Sequence, residues 1–226
     1  MFKRIREAIR EHADEIVIEG PKPVADAIAN GWKPIHVVTR DADFSAELFD
    51  ALTETKSPQH VIGLFERPRA SANDILARRD RIAVALDGVQ DPGNVGTIVR
   101  LAAAFDAAGV LLLPGCADAF GPKAIRSSAG AILNVAVAEI SAAELIASGV
   151  PLFATAMSGA KKDPPSKNAV LVFGNEGAGV SSELMRASKT LAIPMTDRVE
   201  SLNVAASAAI LLARSYAARS AEYATR

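Results

Sequence analysis

The chain has 226 residues, half of them hydrophobic and 23% charged, with a formal net charge of −1. Its length and apolar fraction support one or two folded domains and exclude a disordered chain, and the charge balance offers nucleic acid no long-range attraction, only local patches. No apolar run nears the ~20 residues of a membrane helix, the charged N-terminus lacks the apolar stretch of a secretory signal, and the single cysteine, Cys116, excludes an internal disulfide or a cysteine metal cage.

These features lead us to expect a cytoplasmic protein without membrane or metal partners. In chain order, Ile16–Ile18 is a short strand candidate ending at Glu19-Gly20-Pro21. A helical pattern runs from Pro23 to Asn30 and closes at Gly31, before a strand at Ile35–Val38, a helical piece at Phe44–Leu52 and an apolar run at Val61–Leu64. Alternating strands and helices indicate a small α/β domain over residues 1–65. The charged, proline-punctuated stretch 66–80 reads as a linker. His12, His36 and His60 all fall within residues 1–65, too scattered for a metal site.

The second domain, residues 81–226, opens with Ile82–Leu86, an apolar run typical of a buried parallel strand. A helix at Asn94–Ala107 follows, then the strand Val110–Leu113, a helix near Gly121–Ser128, an apolar run at Leu133–Val137 and a helix at Ala142–Ile146. Strands at Pro151–Thr155 and Ala169–Phe173, a helix at Ser181–Ala187, the run Leu191–Ile193 and a long alanine-rich helix complete the chain. Repeated βα units predict a doubly wound parallel sheet.

Three polar loops each follow an apolar strand, where open α/β sheets bind ligands. In Asp87–Asn94, Pro92 and Gly93 force a turn and Asn94 can cap the next helix, with Arg100 two turns on, off the face of Asn94. Gly174–Gly179, GNEGAG, lets a ligand approach the backbone. Its spacing is GxxGxG rather than the dinucleotide GxGxxG, no phosphate-loop lysine follows, and Glu176 would repel a phosphate. A phosphate-free or cationic ligand such as S-adenosylmethionine fits better. In the third loop, Pro194 stops a strand and Ser201-Leu202-Asn203 starts the last helix, with Ser201 as expected cap.

DPGNVGTIVRLA (Asp91–Ala102), VFGNEGAGVS (Val172–Ser181) and IPMTDRVESLNVAASAA (Ile193–Ala209) resemble the three motifs of the SpoU/TrmH family, RNA ribose 2′-O-methyltransferases of the SPOUT superfamily. SSAGAI (Ser127–Ile132) resembles the family's intervening segment, and IEGPKPVADAI (Ile18–Ile28) its small ribosomal-protein-like substrate domain. The resemblance implies a parallel sheet with a C-terminal trefoil knot, S-adenosylmethionine bent within it, and a homodimer completing each active site. It casts Asn94, Arg100, Glu176, Ser201 and Asn203 as the polar active-site residues. Gly174, Ile193, Met195 and Leu202 match cofactor-contacting positions, with Thr155 and Ala156 as neighbours. Ala205-Ala206 departs from the family, which often has a serine and a larger aliphatic there.

Within that resemblance Arg100 lies nearest the ribose hydroxyl. Arginine is a poor free base, so clamping the adjacent phosphate and lowering the hydroxyl pKa suits it better. Glu176 is expected to hold Arg100 or Asn94 by a charge-assisted bond. Lys123, Arg126, Lys161, Lys162, Lys167 and Arg198 are the expected RNA contacts, helped by Arg67 and Arg69. The N-terminal domain favours ribosomal over transfer RNA by analogy. A transfer-RNA methyltransferase, a non-catalytic RNA-binding protein and a Rossmann-type oxidoreductase remain as rivals, the last opposed by the glycine spacing.

Overall fold

The computed structural model describes residues 1–11, 14–53, 59–156 and 163–224. The chain begins with α1 (Phe2–Glu11), which packs Ile5 and Ala8 inward with the helical period. Then come β1 (Glu15–Glu19), α2 (Pro21–Ala29), β2 (Pro34–Thr39), α3 (Ala46–Asp50) and β3 (Val61–Glu66). The strands form an antiparallel sheet in the order β1-β3-β2, with Val17 opposite Leu64 and Val38 opposite Ile62. Ile5, Phe49, Leu52, Ile62 and Leu64 close one face. Alternation sends Ile16 and Ile18 to the other face. There they join the core of the second half of the chain.

The stretch expected as a linker contains α4 (Ala72–Ala77), capped by Ser71, whose side chain accepts from the Asp74 N–H. Ile75 and Leu76 are buried, so this segment is part of the fold rather than a spacer. Beyond it lie β4 (Ile82–Asp87), α5 (Pro92–Ala104), β5 (Val110–Leu112), α6 (Pro122–Ser128), a 3-10 turn (Ala131–Asn134), β6 (Val137–Glu139), α7 (Ala142–Ala147) and β7 (Leu152–Thr155). The chain ends with β8 (Ala169–Gly174), α8 (Ser182–Ala187), β9 (Lys189–Leu191) and α9 (Val204–Ala224). The last strand therefore stops at Leu191, short of the expected Ile193, and half of the expected run Leu133–Val137 is a 3-10 turn.

All strand pairs of this six-stranded sheet are parallel, in the order β6-β5-β4-β8-β7-β9, as the repeated βα units predict. Alternate residues serve two apolar layers. Ile82, Val84, Leu86, Leu171 and Phe173 pack with α5 and α9, whereas Ala83, Ala85, Val170 and Val172 pack with α4, α7 and α8. β8 is buried along its whole length, which explains its unbroken apolar run. Helices α5 and α6 approach closely because Gly96 lacks a side chain: a Cβ there would lie 2.2 Å from the Ala124 carbonyl oxygen.

The two sheets meet through Trp32, whose ring lies 6.1 Å from Phe120 and 6.3 Å from Phe65. Arg67 lies over the Phe120 ring at 4.7 Å and donates both terminal nitrogens to Asp118 at 2.8 Å. An arginine fork matched to a carboxylate and laid on an aromatic face fixes orientation as well as distance.

Candidate active site

The C-terminal ends of β4, β8, β7 and β9 share one rim, and the three polar loops converge on it. In the first, Asp91 rather than Asn94 caps α5. Its Oδ1 accepts from the Gly93 N–H at 2.9 Å, with Pro92 in the first turn, where a missing N–H costs nothing. Asp91 also accepts from Lys123 Nζ at 2.7 Å, and that ammonium, with the Gly93 N–H, holds the carboxyl below the usual carboxylate range. Released from capping, Asn94 turns its side chain across the rim.

The second loop is built by Asn175, which sequence reasoning overlooked. Its Oδ1 accepts from the Gly177 and Ala178 N–H groups at 2.9 Å, its Nδ2 donates to the Gly88 carbonyl at 2.8 Å, and its backbone exchanges two hydrogen bonds with Gly179. An asparagine before a Glu-Gly pair is the sequence signal of such a self-bonded turn. Ser181 N–H, donating to Asp87 Oδ2 at 2.7 Å, ties the loop's far end to the first loop. Gly174 is required where the loop folds back: a Cβ there would sit 2.1 Å from the Gly179 carbonyl carbon and the Val180 nitrogen.

In the third loop, the cap of α9 is Asn203, not Ser201. Asn203 Oδ1 accepts from the Ala205 and Ala206 N–H groups at 2.9 and 3.2 Å. Its Nδ2 donates to Asn94 Oδ1 at 3.1 Å, and Asn94 Nδ2 donates to Glu176 Oε1 at 2.9 Å. Asn203, Asn94 and Glu176, one from each loop, thus form a single hydrogen-bonded row. Burial opposes ionisation of Glu176, but hydrogen bonds from Asn94 and from backbone N–H groups, Gln90 among them, outweigh it and set the carboxyl below the usual range. It is a carboxylate at neutral pH.

Behind the row lies a cavity of about 620 Å³. Its walls include Thr155, Ala156, Gly174, Glu176, Ile193, Met195, Ser201, Leu202 and Asn203, so every expected cofactor-contacting position opens on it. Ser201 contributes to the wall without capping. Leu191, Val204 and Glu200 are further members, and no lysine or arginine lines it among the described residues. The volume falls within the range of small-molecule sites. Apolar side chains, exposed loop backbone and two carboxylates without a cation suit a phosphate-free ligand bearing positive charge.

Arg100 is not part of this assembly. It is exposed on α5, and no hydrogen bond or ion pair joins its side chain to Glu176 or to any other described residue. Six residues at about 100° each carry it some 120° around the helix from Asn94. The expected RNA cations are also largely engaged: Lys123 with Asp91, Lys167 with Glu222, Arg67 with Asp118 and Arg69 with Asp14. Arg126 has a contact of its own, Arg198 is exposed in the third loop, and Lys161, Lys162 and His12 lie outside the described residues.

The model of the SpoU rRNA Methylase family matches residues 81–213. The chain is 38% identical over 176 residues to the 23S rRNA (guanosine(2553)-2′-O)-methyltransferase RlmP of Bacillus subtilis (strain 168), spanning 74% of this chain and 69% of that one. It resembles the crystal structure of an AdoMet-bound rRNA methyltransferase from Sinorhizobium meliloti, with a TM-score of 0.85 and 30% identity over 96% of this chain and 94% of the other. The SpoU methyltransferase AviRb from Streptomyces viridochromogenes, crystallised in complex with AdoMet, gives a TM-score of 0.84 and 25% identity over 96% and 97%. With a family match over more than half its length, and the matched span carrying all three loops of the rim, the chain belongs to the SpoU rRNA methylase family.

Proposed function

We propose that this protein transfers a methyl group from S-adenosylmethionine to a ribose 2′-hydroxyl of ribosomal RNA. The observation that carries the reading is the Asn203–Asn94–Glu176 row beside a cavity without cations. When bound, S-adenosylmethionine supplies an electrophilic methyl on a sulfonium. The backbone of Ala156, Gly174, Ile193, Met195 and Leu202 presents donors and acceptors for its adenosine, with Thr155 beside them. Ser201 and Asn203, at the rim, are placed to donate to the ribose or its phosphate. Glu176 holds Asn94 in a single rotamer. Aligning two reactants in this way supplies much of the acceleration of a displacement.

Arg100 fits this scheme through a second copy of the chain. We infer a homodimer in which Arg100 of one subunit clamps a phosphate at the site of the other, lowering the pKa of the hydroxyl that must lose its proton. The exposure of the Arg100 side chain, without a partner among the described residues of its own subunit, supports this placement. The same reading assigns residues 1–65 to RNA capture and residues 81–226 to catalysis, in a cytoplasmic enzyme whose C-terminal segment threads a trefoil knot.

The test is incorporation of labelled methyl from S-adenosylmethionine into protein-free total RNA from a strain lacking the gene, followed by mapping of the modified nucleotide. Label at a 2′-oxygen of ribosomal RNA supports the assignment. Label confined to transfer RNA or to a base, or cofactor binding without transfer, refutes it.

A further inference from the structure

With Lys123, Lys167, Arg67 and Arg69 already paired, a further basic surface for RNA lies on the N-terminal helix. On α1, Ile5 and Ala8 are buried while Lys3, Arg6 and Arg10, spaced by three and four residues, share the exposed face. Arg6 and Arg10 have no acidic partner among the described residues. Lys3 stands 3.6 Å from Glu7 with its side chain 90% exposed, so water screens that pairing. The other flank of the helix differs, because Arg4 there is neutralised by Glu15.

The position of the stripe gives it a direction. Ile9 lines a cleft with Pro122, Ile125 and Arg126 of α6 and with Ala129 just after it, and Arg6 lies only about 60° around α1 from Ile9. Arg6 therefore sits on the flank of α1 next to α6, with Arg10 beside it on the exposed face. Helix α6 runs about 10 Å along this cleft, and in its first turn Lys123 reaches Asp91, the cap of the helix that bears Asn94. Helix α6 thus lies between the helix that bears Asn94 and the basic face of α1.

We propose that the phosphate backbone of the RNA substrate continues from the Asn94 site along α6 and is held by Lys3, Arg6 and Arg10. This deepens the function proposed above and rests on it. The stripe has charges but no exposed aromatic or aliphatic anchor of the kind that protein interfaces are built around. It therefore fits a phosphate backbone, positioning RNA without reading its sequence.

The experiment compares the full-length chain with Arg6→Ala/Arg10→Ala, using protein-free large-subunit ribosomal RNA as probe. RNA affinity is measured over a series of salt concentrations alongside methylation kinetics. Loss of two phosphate contacts lowers the slope of log affinity against log salt by about 1–2 and raises KM for RNA on the order of tenfold. kcat at saturating RNA, S-adenosylmethionine affinity and thermal stability stay unchanged. Arg78→Ala, an exposed cation next to α4 on the opposite side of the large sheet, keeps the wild-type slope. A double variant with wild-type slope and KM overturns the proposal. If the wild type binds this RNA but transfers no methyl, the assigned reaction fails, and the salt slope still decides for or against the stripe.

Discussion

Asn203 does two jobs, and two substitutions separate them. Its Oδ1 caps α9 at 2.9 and 3.2 Å from two backbone N–H groups, while its Nδ2 donates to Asn94 at 3.1 Å. Replacing a capping asparagine by alanine costs about 1 kcal/mol, with a range of roughly 0.5–2. For a chain of this size that lowers Tm by about 2–4 °C. Asn203→Asp retains the cap, and its charge suits a helix N-terminus. It cannot donate to Asn94, however, and it turns a carboxylate oxygen toward the Asn94 oxygen, in the same row as the Glu176 carboxylate. A hydrogen bond of about 1 kcal/mol is lost, and a repulsive contact of similar size is gained. Together these amount to a fall in methyl transfer of roughly tenfold to thirtyfold, at about 1.4 kcal/mol per factor of ten. Thermal melts and steady-state methylation of ribosomal RNA should show Asn203→Ala impaired in both and Asn203→Asp impaired in turnover alone. Wild-type kcat/KM in Asn203→Asp would refute the role given to the row.

Glu176→Gln exchanges a charge-assisted bond for a neutral one and should lower kcat severalfold. Since the folded carboxyl titrates below its unfolded value, its contribution is present above the unfolded pKa and is lost only as pH falls through the folded one. The activity profile between pH 6 and 8 (about the range where ordinary carboxylates stay ionised) should therefore show no step that Glu176→Gln removes. Gly174→Ala places a methyl group 2.1 Å from the loop's own backbone, so calorimetry should find cofactor binding lost and melts should show destabilisation of about 1–3 kcal/mol. Retained wild-type affinity would show that the loop can open without harm. Arg100→Ala should abolish turnover while sparing S-adenosylmethionine binding. Mixing it with Asn203→Asp should restore up to about a quarter of wild-type activity, because random pairing forms half of the dimers as heterodimers and each of these has one intact site. Without restoration, Arg100 does not act across a dimer.

Local pattern made much of the chain legible. Unbroken apolar runs marked β4 and β8 because both faces of those strands are covered, and GNEGAG marked a loop that approaches its own backbone. Family motifs pointed to Thr155, Ala156, Gly174, Ile193, Met195 and Leu202, all of which line the cavity. What local pattern could not assign was competition between neighbouring caps. Asp91 and Asn94 are both capping residues, as are Ser201 and Asn203, and only the fold shows which of each pair binds the helix and which faces the rim. The helix α1 was passed over for its charge, although Phe2, Ile5, Ala8 and Ile9 repeat with a helical period. The stretch 66–80 looked like a spacer because Ile75 and Leu76 need a sheet face before their burial has meaning.

By itself, then, the sequence determined the succession of strands and helices, the three loops and the chemical types they carry, since these depend on neighbours within a few positions. Tertiary structure alone decided that Asn203, Asn94 and Glu176, up to 109 residues apart, share hydrogen bonds, that Arg100 stands outside them, and that α1 and α6 line one cleft. Those outcomes depend on strand order and helix packing, which join surfaces distant along the chain and leave no periodic trace in it.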